Sequence, residues 1–130
     1  MKRIDHVGVA VADLGAARTL WDALLGQEPV LEEVAGQKVH TAMYPCGIEL
    51  IAPSSDGSPI AGFLEKRGGG IHHVTIDVDD LDAQLARLKS EGVELINEEA
   101  VTGAGGHRVA FLHPRAAGGV LVELKESTRE

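Results

Sequence analysis

Four residues spread through the chain could together hold a divalent metal ion: His6, Glu49, His73 and Glu123. Imidazole nitrogen and carboxylate oxygen suit Co²⁺, Mn²⁺, Ni²⁺, Zn²⁺ or Fe²⁺ while leaving coordination positions to water. An ion open in that way polarises a carbonyl or stabilises an enolate. None of the four carries the reading alone, because a strand histidine or glutamate is ordinarily a hydrogen-bonded or solvent-facing polar group. Their repetition does. "GIHHVTIDV" (70–78) holds a histidine doublet, and in an extended strand successive side chains point to opposite faces. His73 therefore shares a face with Ile71, Thr75 and Asp77, and His72 shares the other with Val74, Ile76 and Val78. In "RIDHVGVAV" (3–11), His6 shares a face with Ile4, Gly8 and Ala10. Overlaid, Ile4-Asp5-His6-Val7 matches Ile71-His72-His73-Val74, which singles out His73. His72 then stands where the first stretch has Asp5, in a structural hydrogen bond or facing solvent at the strand's start.

The elements that must position these residues are also repeated. "AVADLGAARTLWDALLG" (10–26) lines up with "DVDDLDAQLARLKSEGV" (77–93). Asp13 and Asp80 each lie seven residues after the histidine and precede a leucine. Their carboxylates can accept from free N–H groups of a first helical turn, so each predicts a helix start. Leu14, Ala17, Trp21, Leu24 and Leu25 form one helical stripe and Leu81, Leu85 and Leu88 another, with Gly26 and Gly92 as stops. Three strand-like pieces follow each helix, at 28–34, 38–45 and 47–52, then at 93–97, 107–113 and 118–125. In the closing strands "GIELIA" and "GVLVEL", Glu49 and Glu123 oppose apolar residues and take the face of His6 and His73. The prediction is an α+β fold of two βαβββ modules in tandem, about 2–52 and 71–125, forming one domain of 130 residues. The connector 53–70 carries turn residues at both ends and a short amphipathic piece, Ile60 to Arg67. Each helix covers one face of a four-stranded sheet, and the cavity is expected on the uncovered faces.

Composition is that of a soluble globular chain, with 44% hydrophobic and 25% charged residues. The absence of a long apolar run and of a secretory core at "MKRIDHV" predicts a cytoplasmic protein without membrane contact. The single cysteine, Cys46, cannot form an internal disulfide, fits a reducing compartment and is expected to pack structurally. A net charge of −8 without a basic run disfavours nucleic acid. Only Trp21, Tyr44, Phe63 and Phe111 are aromatic, few for a site that stacks bases or sugars. The glycine-rich "TGAGGHR" (102–108) could wrap an anion with its backbone, but it lacks the lysine and spacing of a nucleotide loop, so a turn is the default. His40, His107 and His113 are not duplicated; His113 in "FLHPR" reads as a strand-end residue, with a ligand contact left open.

Together these features resemble the vicinal oxygen chelate superfamily, in which paired βαβββ modules with curved sheets form a metal-holding cavity. Within it the chain is most similar to the methylmalonyl-CoA epimerase family. The resemblance runs from Ile4 to about Leu124 through "IDHVGVAV", "IELIAP", "DGSPIAGFLEKRGGG", "IHHVTIDVDD" and, most specifically, "GAGGHRVAFLHPRAAGGVLVEL". It implies a metal site on His6, Glu49, His73 and Glu123, with cobalt first among the candidate ions. It also implies interconversion of (2R)- and (2S)-methylmalonyl-CoA by loss and return of the C2 proton through an enolate. Glu123 is the first proton-transfer candidate; the second is Glu49, a bound water or another neighbour. Some members place a further catalytic glutamate on the strand equivalent to "KVHTAMYP", where this chain has Thr41. Phosphates of an acyl-CoA substrate would be sought at Lys66, Arg67, His107, Arg108 and Arg115, chosen by charge. A homodimer is implied by the family.

The nearest competing activity is a lactoylglutathione lyase-like isomerase, which would use the same metal geometry on a glutathione adduct. A ring-cleaving dioxygenase would use two histidines and one glutamate, usually in a longer chain. A non-catalytic small-molecule-binding member of the superfamily would tend to lack part of the ligand set.

Overall fold

The computed structural model describes residues 2–103 and 106–127. In chain order the elements are β1 (Arg3–Ala10), α1 (Leu14–Leu25), β2 (Val30–Val34), β3 (Val39–Met43), β4 (Ile48–Pro53) and α2 (Pro59–Arg67), then β5 (Gly70–Val78), α3 (Leu81–Ser90), β6 (Val101–Thr102), β7 (Arg108–Leu112) and β8 (Leu121–Glu126). Single 3₁₀ turns at Ala35–Gln37 and Pro114–Ala117 precede β3 and β8. The chain forms two compact units, His6–His72 and a second made of Met1–Asp5 with His73–Glu130.

Both predicted helix starts are present. Asp13 accepts from Ala16 N at 3.0 Å and Asp80 from Ala83 N at 3.1 Å, each satisfying an N–H group that has no partner inside its helix. Gly26 ends α1 in the left-handed region, at φ 61°, where its N–H reaches Asp22 O. After α3, Gly92 takes φ 80° one residue past Glu91. Gly92 N donates to Lys89 O and Val93 N to Leu88 O, the paired bonds of a Schellman ending.

In the first unit the strands run β2-β3-β4-β1, with β1 parallel to β4 and the other neighbours antiparallel. The outer face packs on α1: Ala42, Tyr44 and Leu50 are buried against Val9, Val11, Leu14, Ala17, Trp21 and Leu25. In the second the order is the same, β6-β7-β8-β5, with β5 parallel to β8. There Val78, Leu81, Leu85, Ala110 and Leu124 form the core, with Ile76, Leu88 and Val122 beside it. Removing this apolar surface from water is the main stabilising term in each unit.

Four expectations are corrected. Leu24 is 64% exposed, not part of the stripe; α1 packs on the sheet through Leu14, Ala17, Trp21 and Leu25, which leaves Leu20 and Leu24 exposed. Residues 93–97 do not form a full strand. Only Leu95 bridges to Leu112, and the Asn97 side chain takes a ladder place by accepting from Phe111 N at 2.9 Å, after which the chain turns away and resumes as β6. Cys46 is exposed in the tight turn between β3 and β4, closed by Gly47 N to Tyr44 O at 2.9 Å. The connector is more than a link: Ser58 caps α2, whose Ile60, Phe63 and Leu64 pack on Ala10, Val39 and Ile51. One end of the first sheet's histidine-bearing face is thereby covered.

Candidate metal and active site

Strand alternation sets the face that each candidate residue takes. Val9 in β1 and Val11 just after it turn to α1, so His6, Gly8 and Ala10 take the other face. In β4, Ile48 and Leu50 turn to α1 and Glu49 away. The register sets Val7 abreast of Ile48 and Gly8 abreast of Glu49. His6 Nε2 lies 3.9 Å from Glu49 Oε1, with each side chain 17% exposed. That separation is too long for a hydrogen bond. It is within the about 4.2 Å that two metal–ligand bonds of about 2.1 Å can span.

The second unit repeats the register. His73 is abreast of Leu121 and Thr75 of Glu123, so again the glutamate lies beside the second residue after the histidine. Its immediate neighbour differs. Thr75, fully buried, donates its hydroxyl to Glu123 Oε1 at 2.7 Å. Farther along the same face Asp77 is abreast of Lys125. Arg3 Nε lies 3.5 Å from Asp77 Oδ2, and Lys125 Nζ lies 3.4 Å from Asp5 Oδ1. The reading from sequence put Thr75 on this face without assigning it a task. Its offset of two from His73 was the available signal.

Thr41 is buried on β3, abreast of Ile51 and Glu32. His72 meets the edge of Phe63, ring centroids 5.1 Å apart at 82°, and so packs on the connector helix. His113 is the cap of a 3₁₀ turn, its Nδ1 accepting from Arg115 N at 3.1 Å.

The candidate phosphate contacts fall into two groups. Lys66 and Arg67 are exposed on the last turn of α2, with the Arg67 guanidinium 5.7 Å above the Phe63 ring. Half-buried His107 accepts from Gly103 N through its carbonyl. Arg108 is bonded to Asp82 at 2.8 Å and Glu126 at 3.1 Å, and Arg115 to Glu94 at 2.6 Å. The Arg115 guanidinium holds the Glu94 carboxyl below its ordinary range. These arginines serve as ties within the second unit. Ala104 and Gly105 of the glycine-rich stretch lie outside the described residues.

Behind the first sheet a polar clasp fixes α1. The Tyr44 hydroxyl donates to Asp22 Oδ1 at 2.6 Å, and Arg18 Nη2 donates to Asp22 Oδ2 at 3.0 Å. Burial, then the neighbouring Asp22, pushes the Tyr44 phenol up to about 12, while the Tyr44 and Arg18 bonds hold Asp22 low.

Residues 5–111 match the Glyoxalase/Bleomycin resistance protein/Dioxygenase superfamily. Over 96% of its length the chain is 44% identical to Bos taurus mitochondrial methylmalonyl-CoA epimerase, covering 74% of that protein. It is also 44% identical to the ethylmalonyl-CoA/methylmalonyl-CoA epimerase of Cereibacter sphaeroides, covering 95% of this chain and 97% of that one. The fold superposes on a variant of Streptomyces coelicolor methylmalonyl-CoA epimerase in complex with 2-nitronate-propionyl-CoA. That match has a TM-score of 0.77 and 34% identity, over 98% of both chains. The chain therefore belongs to the glyoxalase/bleomycin resistance protein/dioxygenase superfamily and, within it, to the methylmalonyl-CoA epimerase family.

Proposed function

We propose that this protein is an epimerase interconverting (2R)- and (2S)-methylmalonyl-CoA, and that His6, Glu49, His73 and Glu123 together hold one divalent ion. The observation that carries the ligand set is the repeated register: each unit sets its glutamate beside the second residue after its histidine. His6, Glu49 and His73 each offer a ligand atom from a half-buried position. Two imidazoles and two carboxylates suit a borderline divalent ion and leave room for substrate oxygens. Cobalt is the first choice. The substrate class comes from the relatives, whose names specify methylmalonyl-CoA or its ethyl homologue.

When bound, the ion supplies a Lewis acid that stabilises charge developing on the thioester oxygen. The chain's own residues supply the rest. The C2 proton lies between a thioester and a carboxylate, and carboxylate side chains are suited to take it from one face and return it to the other. Glu123 and Glu49 are the assigned pair. Thr41 cannot act as a base where some relatives have a glutamate. Lys66, Arg67 and His107 are the assigned contacts for the coenzyme's phosphates. Arg108 and Arg115, engaged with carboxylates, are placed second. We further assign the working form as a homodimer in the cytoplasm, in keeping with one free cysteine. No helix among the described residues is long and apolar enough to cross a membrane.

The test is solvent exchange at C2. Metal-free protein is supplied with Co²⁺ and methylmalonyl-CoA in deuterated water, and deuterium incorporation is followed by NMR. Incorporation that disappears with a chelator and in His73→Ala is expected. No incorporation with any of the candidate ions supplied would sink the reading.

A further inference from the structure

We propose that Thr75 is a positioning residue that locks the carboxylate of Glu123 for metal binding; this rests on the reading that Glu123 is a ligand. Thr75 is fully buried, and its hydroxyl lies 2.7 Å from Glu123 Oε1. This is within the range of about 2.5–2.7 Å for a hydroxyl donating to a charged oxygen. The two residues are abreast on parallel strands, so backbone pairing as well as the side-chain bond fixes their approach. A β-branched side chain has few χ1 choices, so the donor is held in place before any ion arrives. The bond fixes the orientation of the carboxylate while its oxygens keep further lone pairs for an ion. In the first unit the abreast position is Gly8, with no side chain to do the same for Glu49. The repeated register thus carries one pinned carboxylate, Glu123, and one with no such donor abreast of it.

Outer partners that orient a metal ligand typically alter metal affinity or activity about 10- to 100-fold when removed. Thr75→Val keeps the shape and removes the donor; Thr75→Ser keeps the donor. Co²⁺ affinity of metal-free protein is measured by calorimetric titration, with the absorption spectrum of bound Co²⁺ recorded alongside. Thr75→Val is expected to weaken Co²⁺ binding about tenfold or more and to shift the spectrum, with Thr75→Ser restoring both. In a Glu123→Ala background, Thr75→Val should add less than about twofold, because the two act as one unit. Unchanged affinity and spectrum in Thr75→Val overturns the proposal, as does full additivity with Glu123→Ala. A Thr75→Val chain that does not fold leaves Thr75→Ala against Thr75→Ser for the same comparison. Tight Co²⁺ uptake by the parent, unaffected by every change at Thr75, overturns only the positioning role. Failure of the parent to take up Co²⁺ overturns the metal reading itself.

Discussion

The two units solve one problem twice with different surroundings. Each places a histidine on its first strand and a glutamate on a parallel neighbour in the same register. In the first unit Glu49 faces His6 and has glycine abreast; in the second Glu123 is held by a buried threonine hydroxyl. Their helices are anchored differently too. Helix α1 is clasped to the turn after β3 through Tyr44, Asp22 and Arg18. Helix α3 is tied at its start, where Leu81 N donates to Glu126 Oε2 at 3.0 Å and Arg108 bridges Asp82 and Glu126. Backbone register is the common element. On the proposed reading, the side chains abreast of each glutamate set how firmly its carboxylate is held.

If the units contribute equally to one site, His6→Ala and His73→Ala should each lower C2 exchange by more than the about hundredfold typical of losing an outer partner. Exchange rates in deuterated water measure this, and a large loss in only one variant would break the equivalence. Next in size is the core. Leu81→Ala, at a fully buried position, should cost about 2–5 kcal/mol, read from denaturant unfolding. Leu14→Ala, at the matching but less buried place in α1, should cost less. Tyr44→Phe should cost about 1.5–3 kcal/mol, the range for a hydrogen bond to a charged group. It should also change the alkaline limb of stability. The Tyr44 phenol is raised from its ordinary 10.0 to about 12, so its contribution is complete below pH 10.0 and falls away as pH rises toward 12. That decline should be missing in Tyr44→Phe. The smallest and most symmetrical effect belongs to the caps. Asp13→Ala and Asp80→Ala should each cost about 1 kcal/mol, and unequal losses would show that one helix depends more on its cap.

Much of this was legible in the sequence because the signals are local. An aspartate before a periodic apolar run, a glycine after it and strict alternation in strands each specify backbone geometry within a few residues. The four candidate ligands followed from face assignment, which needs nothing beyond alternation. What escaped depends on neighbours distant in the chain. Which side of α1 is buried, and so the exposure of Leu24, is set by its packing on Ala42, Tyr44 and Leu50. Asn97 replaces a backbone acceptor with its own side chain, which an apolar pattern over 93–97 cannot reveal. The packing of α2 on Ala10, Val39 and Ile51 gives the connector a structural task that its flanking turn residues conceal. The bond from Thr75 to Glu123 forms only once β8 is laid beside β5, 48 residues away in sequence.

One division of the chain bears on how it is made. Residues 1–5 group with 73–130, held there by Arg3 to Asp77 and by Lys125 to Asp5 across 120 positions. Arg3 and Asp5 thus have partners made 74 and 120 residues later in the chain. At about 5–20 residues per second, those side chains wait several seconds or more for their counterparts. Residues 6–72 have every strand and helix of their own unit within reach during that interval. Synthesis therefore favours an order in which the earlier unit forms with its leading end undocked, and closure of the later unit captures that end.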